Sequence, residues 1–250
     1  MKPPLNPSSM FFLLAPLLIS VNFIPTSLGA DDVDRYTNCS NTTFSCGENI
    51  QSLTYPCWGG ERPNYCGLPD FKLTCERNNI TIITINSIRY RVLNWLPTIQ
   101  TLVVARDDYF ETICPTDYKN NTFDETPFNY VDGLRDVTFL YDCPTSTPFP
   151  SNTNNRDCER ADGADVAVSY LPGSVYIEDC KSVIIPIYEG NLGLVSVSIL
   201  AALKYGFGLQ WTVSINEECN RCSQSGGQCG YDEGQFSCFC KDGPKETSCP

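Results

Sequence analysis

Arg89 and Arg91 flank Tyr90 in a segment of alternating residues, Arg62 follows closely on Trp58 and Tyr55, and Arg106 ends a later apolar run. Guanidinium forks pair with carboxylates two bonds at a time, and aromatic faces stack on rings, so these residue types suit the binding of an anionic, ring-bearing ligand. Residues two apart on a strand share one face at about 7 Å, which predicts that Arg89 and Arg91 stand side by side. Tyr55 and Trp58 sit among cysteines and equally suit the core of a small stapled domain, and Arg89 and Arg91 equally suit an ordinary solvated sheet face.

Reaction chemistry finds less support. The chain has no histidine, which removes the usual general base, the serine and cysteine nucleophile systems that depend on it, and the commonest zinc ligand. Carboxylate pairs such as Asp31-Asp32 and Asp107-Asp108 read as solvated loop charges rather than a glycosidase pair. No glycine-rich phosphate loop follows a strand, and the kinase signatures are missing, so the sequence is not that of an enzyme. Cys219-x2-Cys222 could suggest zinc or redox work, but in a cysteine-rich tail structural disulfides are the expectation. No metal or cofactor is expected. Calcium is the one ion with any signal, because Ile215-Asn216-Glu217-Glu218-Cys219 resembles the acidic lead-in of calcium-binding EGF modules, yet Ser214 stands where an acidic ligand belongs.

Fifteen cysteines in 250 residues belong to an oxidising compartment. The N-terminus agrees: Lys2, an apolar stretch from Met10 to Ile24 and the small-residue sequence Ser27-Leu28-Gly29 form a secretory signal peptide over 1–29, cleaved after Gly29 or Ala30. Four sequons predict N-glycosylation at Asn38, Asn41, Asn79 and Asn120. No second segment reaches the ~18 apolar residues of a membrane span. The nearest, Leu192 to Leu203, reads as an amphipathic helix with Val195, Ile199, Ala202 and Leu203 on one face, Asn191 as N-cap and Gly206 at its end.

The net charge is −12, unevenly spread. From Gln51 to Arg106 six basic residues (Arg62, Lys72, Arg77, Arg89, Arg91, Arg106) face three acidic ones, whereas from Asp107 onward nine basic residues face twenty-two acidic. An acidic protein thus contains one basic island, either a binding patch or uneven sampling of a solvated surface.

Short β-branched runs predict strands at 81–85, 88–92, 101–105, 137–141, 165–170, 175–177 and 183–188, with Asn86-Ser87 as a turn. Phe207, Leu209 and Trp211 alternate like a buried strand. The Pro-, Ser-, Thr- and Asn-rich stretch 144–155 reads as a surface connection, dividing the mature chain into modules 36–143 and 144–250. The fold class expected is mainly β and disulfide-rich: two small β modules, one short helix and a Cys-rich tail over 219–249. That tail is too small to bury a core and depends on crosslinks, for which six cysteines allow fifteen pairings.

The run Cys39-x4-Phe44-x-Cys46-Gly47, Tyr55-Pro56-Cys57-Trp58-Gly59, Arg62-Pro63-x2-Cys66-Gly67-x-Pro69-x-Phe71-x-Leu73-x-Cys75 resembles the galacturonan-binding domain of plant wall-associated receptor kinases, and Leu102 to Arg106, Cys114-Pro115 and Tyr141-x-Cys143 continue the likeness. Gly206-Phe207-x-Leu209-x-Trp211 and Cys219-x2-Cys222-x2-Ser225-Gly226-Gly227-x-Cys229-Gly230-Tyr231 resemble that family's C-terminal domain, especially in leaf-rust-resistance-type receptor kinases. The tail also resembles a truncated EGF-like module, which implies the pairs Cys219–Cys229, Cys222–Cys238 and Cys240–Cys249. The family usually carries phenylalanine where this chain has Cys57. Setting Cys57 aside as a free thiol leaves an even set for disulfides: Cys39, Cys46, Cys66, Cys75, Cys114, Cys143, Cys158, Cys180 and the six of the tail.

The resemblance implies an extracellular ectodomain that binds pectin, with homogalacturonan meeting the candidate contacts Tyr55, Trp58, Arg62, Arg89, Tyr90, Arg91 and Arg106. The alternative is a decoy or co-receptor in plant defence that binds another receptor ectodomain through the acidic half; a cysteine-rich defence protein or inhibitor is a third class without a specific signal. Nucleic acid is not an expected partner. Family receptors continue into a membrane span and a kinase, whereas this sequence stops at Pro250, so a secreted short form or a truncated product in the apoplast and cell wall is expected, or the outer face of the plasma membrane if a longer form exists.

Overall fold

The computed structural model describes residues 30–188, 198–211 and 214–250. The expected signal peptide and the Asn191 and Val195 end of the expected amphipathic helix lie outside these residues.

Antiparallel strands dominate. One sheet has six strands in the spatial order Leu73–Glu76, Ile80–Ile85, Ile88–Leu96, Thr101–Arg106, Phe207–Trp211 and Phe128–Tyr130. The hairpin at its heart turns on Asn86 and Ser87, whose φ of 46° and 64° are the left-handed values a two-residue connection requires. A second sheet has four strands in the order Lys181–Tyr188, Leu134–Tyr141, Asp165–Pro172 and Asn154–Glu159. The expected strand at 175–177 is absent: Thr138 Oγ1 donates to the Gly173 carbonyl and accepts from the Val175 amide, so a side chain takes up the bonds a ladder would have made.

Two features tie the halves of the chain together. Phe207–Trp211, late in the sequence, is inserted between Thr101–Arg106 and Phe128–Tyr130, with Leu209 opposite both Leu102 and Tyr130. Segment 144–155, the expected connection, runs from strand Leu134–Tyr141 into strand Asn154–Glu159, both in the four-stranded sheet. The apolar faces of both sheets accordingly share one buried cluster, in which Phe71, Tyr90, Phe207 and Trp211 from the larger sheet and its flank meet Phe139, Val168 and Ile185 from the smaller.

Three helices occur among the described residues where the sequence suggested one. Ile199–Tyr205 is the expected helix, but Ser198 caps it, its hydroxyl accepting from the Ala201 amide, and Gly206 ends it at φ 68°. Ala30–Asn41 and Ser214–Gln224 are rich in Asn, Ser and Asp, poor helix formers, and tertiary crosslinks hold them. Cys219 and Cys222 stand one helical turn apart on one side of Ser214–Gln224, which explains the short first gap of the tail: the pair reaches Cys229 and Cys238 from a single helix face.

The seven disulfides are Cys39–Cys66, Cys46–Cys75, Cys114–Cys158, Cys143–Cys180, Cys219–Cys229, Cys222–Cys238 and Cys240–Cys249. The three in the tail are the pairing that the EGF-like resemblance implies. Cys57 is unpaired and fully buried.

The tail forms a three-stranded sheet (Gln228–Asp232, Gln235–Cys240, Gly243–Lys245) that packs on the N-terminal part of the chain as well as on the neighbouring helix Ser214–Gln224. Tyr65 meets Phe239 edge-on at 6.0 Å between ring centres, and Tyr55 meets Phe236 at 5.9 Å. Arg35 of helix Ala30–Asn41 pairs with Asp232 and lies over both Tyr65 and Phe239. Gly230 lets the tail strand approach the turn Asn64–Cys66: a Cβ there would stand 2.4 Å from the Tyr65 carbonyl oxygen.

Candidate functional site

Strand alternation does place Arg89 and Arg91 on one face, as their spacing predicts, with Tyr90 on the other. Neither guanidinium is free. Arg89 Nε donates to Asp107 Oδ2 at 3.0 Å and Arg91 Nε to Asp107 Oδ1 at 2.7 Å, while Arg89 Nη2 reaches Glu76 Oε2 at 2.9 Å. Arg91 also lies 4.0 Å over the Phe110 ring and 4.0 Å from Glu111, whose carboxylate takes Lys204 Nζ at 2.6 Å. Three cations thus meet three carboxylates, and the group is neutral as a whole. Partial burial pushes the Asp107 carboxyl up, but hydrogen bonds from Arg91 and Arg89 outweigh it and hold its pKa below the usual value. The basic island was bounded at Arg106 in sequence; in space the residues just past that point, Asp107, Asp108 and Glu111, fold back and cancel it.

Three further candidates are corrected by burial. Tyr90 and Arg106 face each other across adjacent strands on the core side of the sheet, at 0% and 2% exposure. Arg106 is held by Asp108 (2.6 and 2.8 Å), the Lys119 carbonyl and the Asn121 side chain, which also accepts from the Tyr90 hydroxyl. Arg62, 2% exposed, spends its fork on four backbone carbonyls, those of Cys57, Cys39, Thr42 and Cys66, at 2.6–3.0 Å. Burial lowers its pKa to about 10. It organises the loops between the first two disulfides and is out of reach of a polymer.

Tyr55 packs its ring on Phe236 and serves the junction with the tail. Trp58, like Tyr55, is half-exposed. Its Nε1 donates to the Leu68 carbonyl at 2.7 Å, and Lys72 Nζ lies 5.3 Å over its ring. The backbone of Trp58 bridges to that of Lys72, and the next residue must be glycine: Gly59 has φ 131°, and a Cβ there would lie 2.0 Å from the Leu73 carbonyl oxygen. Lys72 and Arg77 are exposed and make no ion pair with any described residue, so they are what survives of the basic island.

Trp58 lines a cleft of about 430 Å³ between the first module and the tail. Asn64, Tyr65 and Pro69 also line it, together with Arg35 and, from the tail, Tyr231, Asp232 and Glu233. Lys72, Asn64, Tyr65 and Tyr231 were not singled out as contacts from the sequence. Tyr65 lies beside the disulfide cysteine Cys66 and Tyr231 two residues after Cys229, a signal that marks a fixed position without saying what faces it.

Metal chemistry has no opening at the tail cysteines. The sulfurs of Cys238, Cys240 and Cys249 lie within 4.8 Å of one another, but each belongs to a disulfide and offers no thiolate. Burial also pushes the Cys57 thiol well up, so it offers none either.

Residues 39–106 match the wall-associated receptor kinase galacturonan-binding family, and 151–243 match the wall-associated receptor kinase C-terminal family. Among curated proteins, the chain is 28% identical to the leaf rust 10 disease-resistance locus receptor-like protein kinase-like 1.2 of Arabidopsis thaliana, over 96% of this chain and 38% of that protein. It is 27% identical to the like 2.1 protein of the same plant over 86% of this chain and 36% of the relative, and 30% identical to the like 2.8 protein over 89% and 26%. The chain therefore spans about two fifths or less of the relatives it matches. No solved structure matches it. Among the described residues no helix is long and apolar enough to cross a membrane.

Proposed function

We propose that this chain, which belongs to the wall-associated receptor kinase family by its galacturonan-binding and C-terminal modules, is an extracellular receptor ectodomain that binds de-esterified homogalacturonan. The observation that carries this reading is the galacturonan-binding match over 39–106, the segment that holds Trp58 and the unpaired Lys72 and Arg77. An exposed ammonium against a half-exposed indole can meet a uronate carboxylate and the apolar face of its ring together. Each contact is weak, and affinity grows with polymer length as successive sugars engage.

The net charge of −12 opposes a polyanion, but screening at physiological ionic strength confines that repulsion to about 8 Å. Secretion, signal-peptide removal, N-glycosylation and residence in the cell wall accompany this reading. The test is retention on a pectate column. Retention at low salt that falls as salt rises supports charge-assisted binding, and a wild-type protein that passes unretained rules the function out.

A second reading, a co-receptor surface for another ectodomain, draws on Tyr176 and Tyr205, which are 81% and 59% exposed. Salt-insensitive binding to a receptor ectodomain, with no pectate retention, would favour it.

A further inference from the structure

The cleft beside Trp58 brings together two segments far apart in the chain. Part of its lining comes from the galacturonan-binding module (Trp58, Asn64, Tyr65), and part from the tail (Tyr231, Glu233), beyond the last strand of the shared sheets. We infer that this cleft is a composite saccharide site, gripping a short uronate-bearing stretch of polysaccharide between the two modules, so that binding needs the docked tail as well as the module named for it. The inference rests on the galacturonan reading above and adds to it where the sugar sits and what completes the site.

The chemistry of the walls argues for a sugar. A pyranose ring has an apolar C–H face and a rim of hydroxyls, and it is recognised by aromatic faces with amide or carboxylate groups at the rim. Trp58, Tyr65 and Tyr231 supply the rings, and Asn64 and Glu233 are exposed polar groups at the edges. The charges sort the ligand further. Arg35 neutralises Asp232, so the tail part of the lining keeps Glu233 as an acceptor for hydroxyls, while Lys72, outside the cleft lining but over the Trp58 ring, is free for a carboxylate. A cleft of about 430 Å³ falls within the ~300–1,000 Å³ of small-molecule sites, room for a short segment rather than a long chain.

The site is built before any ligand arrives. Trp58 is fixed by Leu68, the Tyr65 hydroxyl accepts from Asn38 Nδ2 at 2.8 Å, and the Tyr231 hydroxyl donates to the Gly234 carbonyl at 2.8 Å. The Arg35–Asp232 ion pair and the Tyr65–Phe239 contact hold the walls in register. Groups fixed in this way lose little freedom on binding.

The experiment is calorimetric titration of the whole glycosylated chain with a de-esterified oligogalacturonate of defined length, supported by hydrogen–deuterium exchange. Trp58→Ala and Tyr231→Ala should each weaken binding about tenfold, whereas Tyr231→Phe, which keeps the ring, should stay within about twofold of the wild type. Exchange should slow on binding in 58–69 and 229–235 together. A wild type that does not bind overturns the galacturonan reading itself. A wild type that binds, with Tyr231→Ala unchanged in affinity or with protection only in 58–69, overturns the composite site and leaves that reading standing. The melting temperature and disulfide map of Tyr231→Ala separate lost contact from lost fold, and Glu233→Gln, an exposed turn position, gives a second variant that does not touch the packing.

Discussion

The Asp107 carboxylate accepts from Arg89 on one oxygen and from Arg91 on the other, so two guanidiniums two residues apart on a strand share one internal counter-ion. Side chains that already hold a carboxylate offer a second one only what is gained by exchange. This pairing turns the most basic-looking stretch of the sequence into a neutral brace between strand Ile88–Leu96, the turn after strand Thr101–Arg106 and, through Glu111 and Lys204, helix Ile199–Tyr205.

Replacing both Arg89 and Arg91 by glutamine should change pectate retention by less than about twofold and lower stability by about 1 kcal/mol, since each partly exposed pair is worth ~0.2–1 kcal/mol. Column retention and thermal melting check the two arms. A large loss of retention with an unchanged melt would return these arginines to the binding site.

The same brace gives an acid dependence of definite sign. The folded-state pKa of Asp107 is depressed, so its contribution is present above the unfolded pKa of about 3.9 and is lost as pH falls through the lower folded value. Asp107→Asn should therefore destabilise the protein at neutral pH and converge with the wild type toward strongly acid pH. Urea midpoints measured across that range test this.

Arg62→Lys should be costly. A lysine cannot reach four carbonyls with one ammonium, and buried acceptors would be left without donors. A loss of about 3 kcal/mol or more is expected by denaturant titration, with the disulfides still mapped as in the wild type.

Cys57 should resist alkylation in the native protein and label as the single thiol once the chain is unfolded without reduction. Full burial and a raised pKa both deny the reagent its thiolate. Peptide mapping checks the position.

Gly230→Ala should loosen the tail from the first module, because the new methyl meets the Phe239 ring at 2.2 Å and the Tyr65 carbonyl oxygen at 2.4 Å. The tail's own three disulfides should form, while limited proteolysis becomes faster at the junction and oligogalacturonate binding weakens.

Residue types and local spacing determined much of this protein by themselves. Alternating β-branched runs specify antiparallel strands, since period-two burial needs no knowledge of the partner, and the alternation of Phe207, Leu209 and Trp211 marks a buried strand. The number and spacing of the cysteines likewise marked the chain as disulfide-rich. Only the tertiary structure decided which strands are neighbours, that Phe207–Trp211 completes a sheet begun more than a hundred residues earlier, and that Tyr65 and Tyr231 line one cleft. It decided the charges as well: a count along the chain places Asp107 outside the basic island, whereas folding places it between Arg89 and Arg91. Arg62 and Arg106 show why, for nothing local distinguishes a guanidinium aimed at solvent from one aimed at backbone carbonyls or a core carboxylate. Cross-strand register and loop closure set that direction, and both arise from contacts between residues distant in sequence.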